Sequence, residues 1–137
     1  MKPNRQAVFD MFHGHCAYCG CEITIKSFQV DHVHAQARGG KNEDKNYMPA
    51  CRSCNATKAT YTIDEFRERL IGDVDRLRRD SAKFRILERF MLLETGVAYI
   101  DHITDYREFK FYFETVEKET KIERINNADS FYEMDKI

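Results

Sequence analysis

In residues 3–13, PNRQAVFDMFH, the apolar residues Val8, Phe9 and Phe12 recur at helical spacing, and Pro3 suits a first helical turn. ITIKSFQVDH is richer in β-branched and aromatic residues and roughly alternates, which predicts a hairpin with strands near 22–25 and 28–32. ARGGKNEDKN is polar, and its Gly39-Gly40 pair permits unusual backbone angles, so it reads as a loop. At YTIDEF the pattern changes sharply. Thr62 and Glu65 form a capping box, Tyr61 and Phe66 a hydrophobic staple, and Ile63, Phe66, Leu70, Val74 and Leu77 continue a helical stripe to about residue 78. A second helix, SAKFRILERFMLLET, is expected between a Ser81 cap and a Gly96 stop, with Phe84, Leu87, Met91 and Leu92-Leu93 on its buried side. REFKFYFETV alternates strictly, placing Phe109, Phe111 and Phe113 on one face of a predicted strand. The last twenty residues fit either a frayed helix or a tail.

These elements make an α+β chain. Its 137 residues suit one compact domain, or a small module with an extension. The division is expected after residue 76, giving a core at 1–76 and a helix-strand extension at 77–137. A composition 42% hydrophobic and 33% charged is that of a soluble globular protein. No apolar run approaches the roughly 18 residues that cross a bilayer, so no membrane partner is expected. The charged opening, MKPNRQAVFDMF, lacks the apolar stretch of a secretory signal, and the expected location is the cytoplasm, where thiols stay reduced.

Charge divides the chain unevenly. Residues 1–61 hold eight Lys/Arg against five Asp/Glu, a balance of +3, whereas residues 62–137 hold fourteen against eighteen, a balance of −4. An acidic extension repels phosphate, so it is expected to position the core or engage a protein.

All five cysteines lie in the basic half, and four of them form two C-x-x-C pairs, Cys16/Cys19 and Cys51/Cys54. That spacing lets both sulfurs of a pair face one ion at about 2.3 Å, and two pairs complete the tetrahedron that zinc prefers. Reduced, buried thiols are the bland alternative. Cys21 could replace Cys19, and His13 or His15 could also ligate. The 31 residues between Cys19 and Cys51 exceed a zinc-finger spacing, so something substantial is inserted between the knuckles.

That insert carries VDHVH and the Gly-Gly loop. With CAYCG, FQVDHV, RGGKNEDKNYMPACRSCNATK and TIDEFRERL in this order, residues 5–72 resemble the HNH endonucleases, the ββα-metal nucleases often encoded by phages and mobile elements. The resemblance implies a zinc-stapled ββα core that hydrolyses phosphodiester bonds in DNA, most simply double-stranded, leaving 5′-phosphate and 3′-hydroxyl ends. It makes His32 the general base, Asn46 the residue that steadies the loop, and Asp31 and Asn55 ligands of a catalytic divalent ion. Because Asn55 stands where a histidine is also used, a hard ion, Mg²⁺ or Mn²⁺, is favoured. Lys58, Arg38 and His34 are candidate substrate contacts, and a homodimer would allow cleavage of both strands. Asp31 and His32 are neighbours, which in a regular strand point to opposite faces; the resemblance implies that the strand ends or twists there, so that both serve one phosphate. The rival reading is a non-catalytic zinc module, a phage-borne regulator or inhibitor that binds nucleic acid or protein.

Overall fold

The computed structural model describes residues 2–90 and 109–116. Helix α1 spans Arg5–Asp10, and its cap is Asn4, whose Oδ1 accepts from the Ala7 N–H at 3.1 Å. Pro3 therefore lies before the cap. The helix is shorter than its apolar face predicts because the chain then turns through His13 and Gly14, at φ of 53° and 78°.

Strand β1, Gln29–His32, pairs antiparallel with β2, Tyr47–Ala50. This corrects the expected hairpin. Residues 22–25 form no strand with β1; Glu22 makes an isolated bridge to His15, and the chain reverses at once, with the Ser27 and Phe28 N–H groups both reaching Thr24 O. The partner of β1 arrives from beyond the polar loop. YMPA does not alternate because all four of its residues are buried, as in a strand covered on both faces.

Residues facing each other across an antiparallel pair share a face. Tyr47 joins Val8 of α1 and Phe28 in a core cluster, with Phe9, Met11, Ile23 and Val30 packed around it. The opposite face carries Asp31, across from Met48, toward helix α2, Arg52–Lys58. The result is a two-stranded sheet between two short helices.

Helix α3 spans Ile63–Asp80, two residues longer than its stripe predicts, and helix α4 spans Ala82–Arg89. Ser81 caps α4, its Oγ accepting from the Phe84 N–H at 3.1 Å. The apolar stripe thins toward the end of α3, where Leu77 is 48% exposed. The two helices are joined by ionic contacts, Arg78 Nε donating to both Glu88 oxygens at 3.1 and 3.0 Å. The expected continuation past residue 90, with Met91, Leu92-Leu93 and the Gly96 stop, lies outside the described residues, as does the tail.

The REFKFYFETV segment also departs from expectation. Tyr112–Thr115 form a single helical turn, α5, rather than a strand, with the Phe111 N–H donating to Glu114 Oε1 at 3.0 Å. Phe111 and Phe113 are nevertheless both buried, and they stack at 6.1 Å between ring centroids.

The chain falls into two compact units, one of Met1–Ile63 with the segment from Lys110, the other Asp64–Phe109. The first therefore contains the sheet, both cysteine pairs and α5, whereas the sequence pattern suggests one division after residue 76. Among the described residues, no helix is long and apolar enough to cross a membrane.

Candidate active site

The two C-x-x-C pairs meet. The sulfurs of Cys16, Cys19, Cys51 and Cys54 all lie within 4.8 Å of one another, and Cys19 and Cys51 are 3.8 Å apart. Two ligands about 2.3 Å from a tetrahedral ion stand about 3.8 Å apart, so the donor set fits zinc. Each knuckle is built locally. Gly20, at φ 78°, turns the first one so that its N–H reaches Cys16 O, and Cys51 is the N-cap of α2, its sulfur accepting from the Cys54 N–H at 3.3 Å. The Ala17 N–H donates to Pro49 O at 2.9 Å and ties the first knuckle to β2.

Crowding splits the thiols. Cys16 is pulled down to about 4, chiefly by its hydrogen bond with Cys54, and the same contact pushes Cys54 upward. Four such sulfurs become thiolates together only when a cation neutralises them. Cys21 lies outside the set, and its contact with Cys19 pushes its thiol up to about 12. His13 and His15 are not part of it either; Nδ1 of His15 is engaged with the carbonyl oxygens of Phe12 and His13.

Asp31, His32 and Asn55 border one cavity of about 290 Å³, together with Thr60. Asp31 and His32 do leave β1 on opposite faces, but His32 is its last residue, and beyond the strand end both reach the same opening. Asn55 comes from the first turns of α2, one residue after Cys54 of the four-cysteine cluster.

Asp31 is buried, at 4% exposure, and its Oδ2 takes two bonds, from the Tyr18 hydroxyl at 2.5 Å and from Lys58 Nζ at 3.1 Å. Burial pushes its carboxyl above the usual carboxylate range, against the opposing pull of Lys58 and Tyr18. Both contacts fall on one oxygen. Among the described residues, no hydrogen bond to Oδ1 is found.

His32 is oriented by two residues that the sequence pattern does not single out. Asn42 Oδ1 lies 2.9 Å from His32 Nε2 and accepts from Gln36 Nε2 at 2.8 Å. An amide oxygen brings no proton, so Nε2 of His32 is the donor and a neutral ring keeps its lone pair on Nδ1. The ring edge also rests against Tyr47, 5.3 Å between centroids.

Asn46 is fully buried and closes the loop. Its Oδ1 accepts from the His34 N–H at 2.8 Å, and its Nδ2 donates to the oxygens of His34 and Lys41 at 3.0 and 2.9 Å. The candidate substrate contacts divide. Lys58 has no exposed surface, and its ammonium is spent on Asp31 and, at 3.0 Å, on His32 O. His34 is 2% exposed, its Nε2 directed at Arg38 O. Neither can meet a phosphate from those positions. Burial of a lysine in a segment of polar and small residues has no signature in the sequence. Arg38 is half-buried, with Nη1 3.4 Å from Thr60 O at the cavity rim.

Comparison with known proteins agrees with this geometry. Residues 16–60 match the HNH endonuclease family model. The chain is 34% identical over 68 residues to the SPbeta prophage-derived putative HNH endonuclease YoqL of Bacillus subtilis, an alignment covering 42% of this chain and 28% of that protein. It is 39% identical over 44 residues to the CRISPR-associated endonuclease Cas9 of Corynebacterium diphtheriae, covering 31% of this chain and 4% of that one. The chain thus spans less than a third of either relative. Both alignments are partial, yet the family match covers the cysteine pairs, the Asp31-His32 pair and α2 as one unit. Residues 16–60 are thus similar to the HNH endonuclease domain in sequence, and the four-cysteine cluster and two-stranded sheet fall within that match.

Proposed function

We propose that the chain is a metal-dependent endonuclease that hydrolyses phosphodiester bonds in double-stranded DNA, with His32 as general base and Asp31 and Asn55 holding a catalytic Mg²⁺ or Mn²⁺. The observation that carries this reading is the shared cavity of Asp31, His32 and Asn55, which brings an imidazole and two side chains with hard oxygen donors to one opening. Hydrolysis needs a water deprotonated in line with the leaving oxygen. The Asn42 contact keeps the proton of a neutral His32 on Nε2, so Nδ1 is the atom that takes the proton from water. Asp31 offers Oδ1, and the side-chain amide of Asn55 makes no hydrogen bond among the described residues, which leaves its oxygen for an ion. When bound, a divalent ion supplies neutralisation of the charge that builds on the phosphate. Zinc at Cys16, Cys19, Cys51 and Cys54 is structural, anchoring the start of α2, and hence Asn55, beside β1. Arg38, at the rim, is the remaining candidate phosphate contact of the three.

Incubation of the purified, zinc-loaded protein with supercoiled plasmid and Mg²⁺ or Mn²⁺, beside His32→Ala, tests this reading. The expected result is ion-dependent nicking or linearisation that His32→Ala lacks while keeping its zinc and its melting temperature. Undiminished cleavage by His32→Ala would reject His32 as the base. A wild-type chain that binds DNA without cutting it would favour the non-catalytic module.

A further inference from the structure

Tyr18 lies between the two cysteines of the first knuckle, is buried, and donates its hydroxyl to Asp31 Oδ2 at 2.5 Å. Its ring is held edge-on by Phe111 and Phe113, with centroids at 5.4 and 6.2 Å and interplanar angles of 77° and 85°. The same segment is fastened to the knuckle backbone. Tyr112 N–H donates to Tyr18 O at 2.9 Å and Phe113 N–H to Ala17 O at 2.8 Å. The fit extends one residue further, since a Cβ on Gly20 would come within 2.9 Å of the Tyr112 ring.

We infer that Tyr18 is a positioning residue for Asp31, and that the Phe111–Phe113 segment is part of the nuclease unit because it locks the Tyr18 ring. The inference rests on the reading of Asp31 as a ligand of the catalytic ion. A carboxylate that must offer one oxygen to an ion needs its other oxygen fixed, or it rotates between alternatives. Here Oδ2 is held from two sides, by Lys58 at the end of α2 and by Tyr18 from the zinc knuckle. Lys58 alone supplies charge but a flexible stem; the phenol supplies direction, because its ring is packed edge-on against two others. Removal of the hydroxyl leaves the packing intact and lets the carboxylate swing toward the ammonium. Hydrogen-bond partners of metal-ligating side chains typically change metal affinity by about 10–100-fold when removed.

The experiment uses the full, zinc-loaded chain, with Mn²⁺ binding followed by the electron paramagnetic resonance signal of the free ion, and with cleavage measured against Mn²⁺ concentration. Tyr18→Phe is the main variant and Phe111→Leu the second. Tyr18→Phe is expected to keep one zinc and a single cooperative melting transition, to bind Mn²⁺ about 10-fold more weakly, and to recover cleavage as Mn²⁺ is raised. Phe111→Leu, which retains the hydroxyl but loosens the ring, should shift Mn²⁺ binding in the same direction by a smaller factor. Wild-type Mn²⁺ affinity in Tyr18→Phe would overturn the inference and leave Tyr18 as core alone, with the nuclease reading intact. Absence of both Mn²⁺ binding and cleavage in the wild-type chain would instead reject the nuclease reading, and this inference with it.

Discussion

Lys58 Nζ lies 3.1 Å from Asp31 Oδ2 and neither side chain is more than 5% exposed, so the last residue of α2 carries a buried counter-charge to the strand residue that borders the cavity. Its second bond, to His32 O at 3.0 Å, fixes the end of β1 as well. Replacing Lys58 by Met keeps most of the volume but leaves a buried carboxylate without its cation, a loss on the order of 3–5 kcal/mol at neutral pH. The sign of its pH dependence follows from Asp31. Its folded carboxyl titrates above the ordinary carboxylate range, so the neutral form is the better tolerated one, and the stability it allows is present at low pH and lost as pH rises through the raised value. The deficit of Lys58→Met measured by urea unfolding should accordingly be largest near neutrality and shrink on acidification. Equal unfolding midpoints for the two proteins at pH 7 would show that the pair holds nothing.

Asn42 sits exposed on the loop, yet its oxygen selects the tautomer of His32. Asn42→Ala should therefore leave stability within about 0.5 kcal/mol, as surface substitutions do, while the freed imidazole samples other orientations and tautomers. Cleavage should fall by about one order of magnitude, less than the full contribution of a positioned acid–base group. The deficit should appear in kcat rather than in KM for DNA, and single-turnover rates at saturating protein are the measurement that separates the two.

The loop between His34 and Asn46 is closed so tightly that its two glycines are not equivalent. A Cβ at Gly40 would lie 1.8 Å from His34 O, a backbone atom that is itself the acceptor of Asn46 Nδ2. Gly39 has open space around it but sits at φ 93°, where an L side chain is strained. Gly40→Ala should force the loop open and cost about 1–3 kcal/mol, as overpacking does, with loss of activity. Gly39→Ala should cost about 1 kcal/mol, from backbone strain alone. Thermal melting of the two variants side by side gives the order, and the reverse order would contradict this loop geometry.

The cysteine spacing, the Asp31-His32 pair and the helix starts at Thr62 and Ser81 are legible in the sequence because each depends on residues close in the chain. What is not legible depends on what arrives from far away. Strand β2 is hidden because Pro49 and four consecutively buried residues give no alternation, and its pairing with β1 spans the whole polar loop. Lys58 and His34 read as surface groups because nothing near them in sequence announces a buried partner; Asp31 is 27 positions from Lys58. The Phe-rich segment shows the same limit. Its period of two predicts an apolar face correctly for Phe111 and Phe113, but the acceptors for the N–H groups that open its helical turn are the carbonyls of Ala17 and Tyr18, almost a hundred residues earlier.

Cys51 belongs to the four-cysteine cluster and also caps the helix, and its replacement should separate the two roles. Its sulfur is one of the four that converge, and it also caps α2 by accepting from Cys54 N–H. A serine hydroxyl can still cap the helix, because Ser is a favoured N-cap residue, but it is a poor ligand for zinc. Cys51→Ser therefore isolates the metal. Zinc content should fall well below one per chain and the melting temperature should drop, with the loss of cleavage following from displacement of Asn55 four residues on. Cys21→Ser is the internal control, since Cys21 is exposed and outside the converging set. It should keep full zinc content and the wild-type melting temperature. Loss of zinc in Cys21→Ser with retention in Cys19→Ser would exchange their places in the ligand set, and unchanged zinc in Cys51→Ser would remove the four-cysteine site altogether.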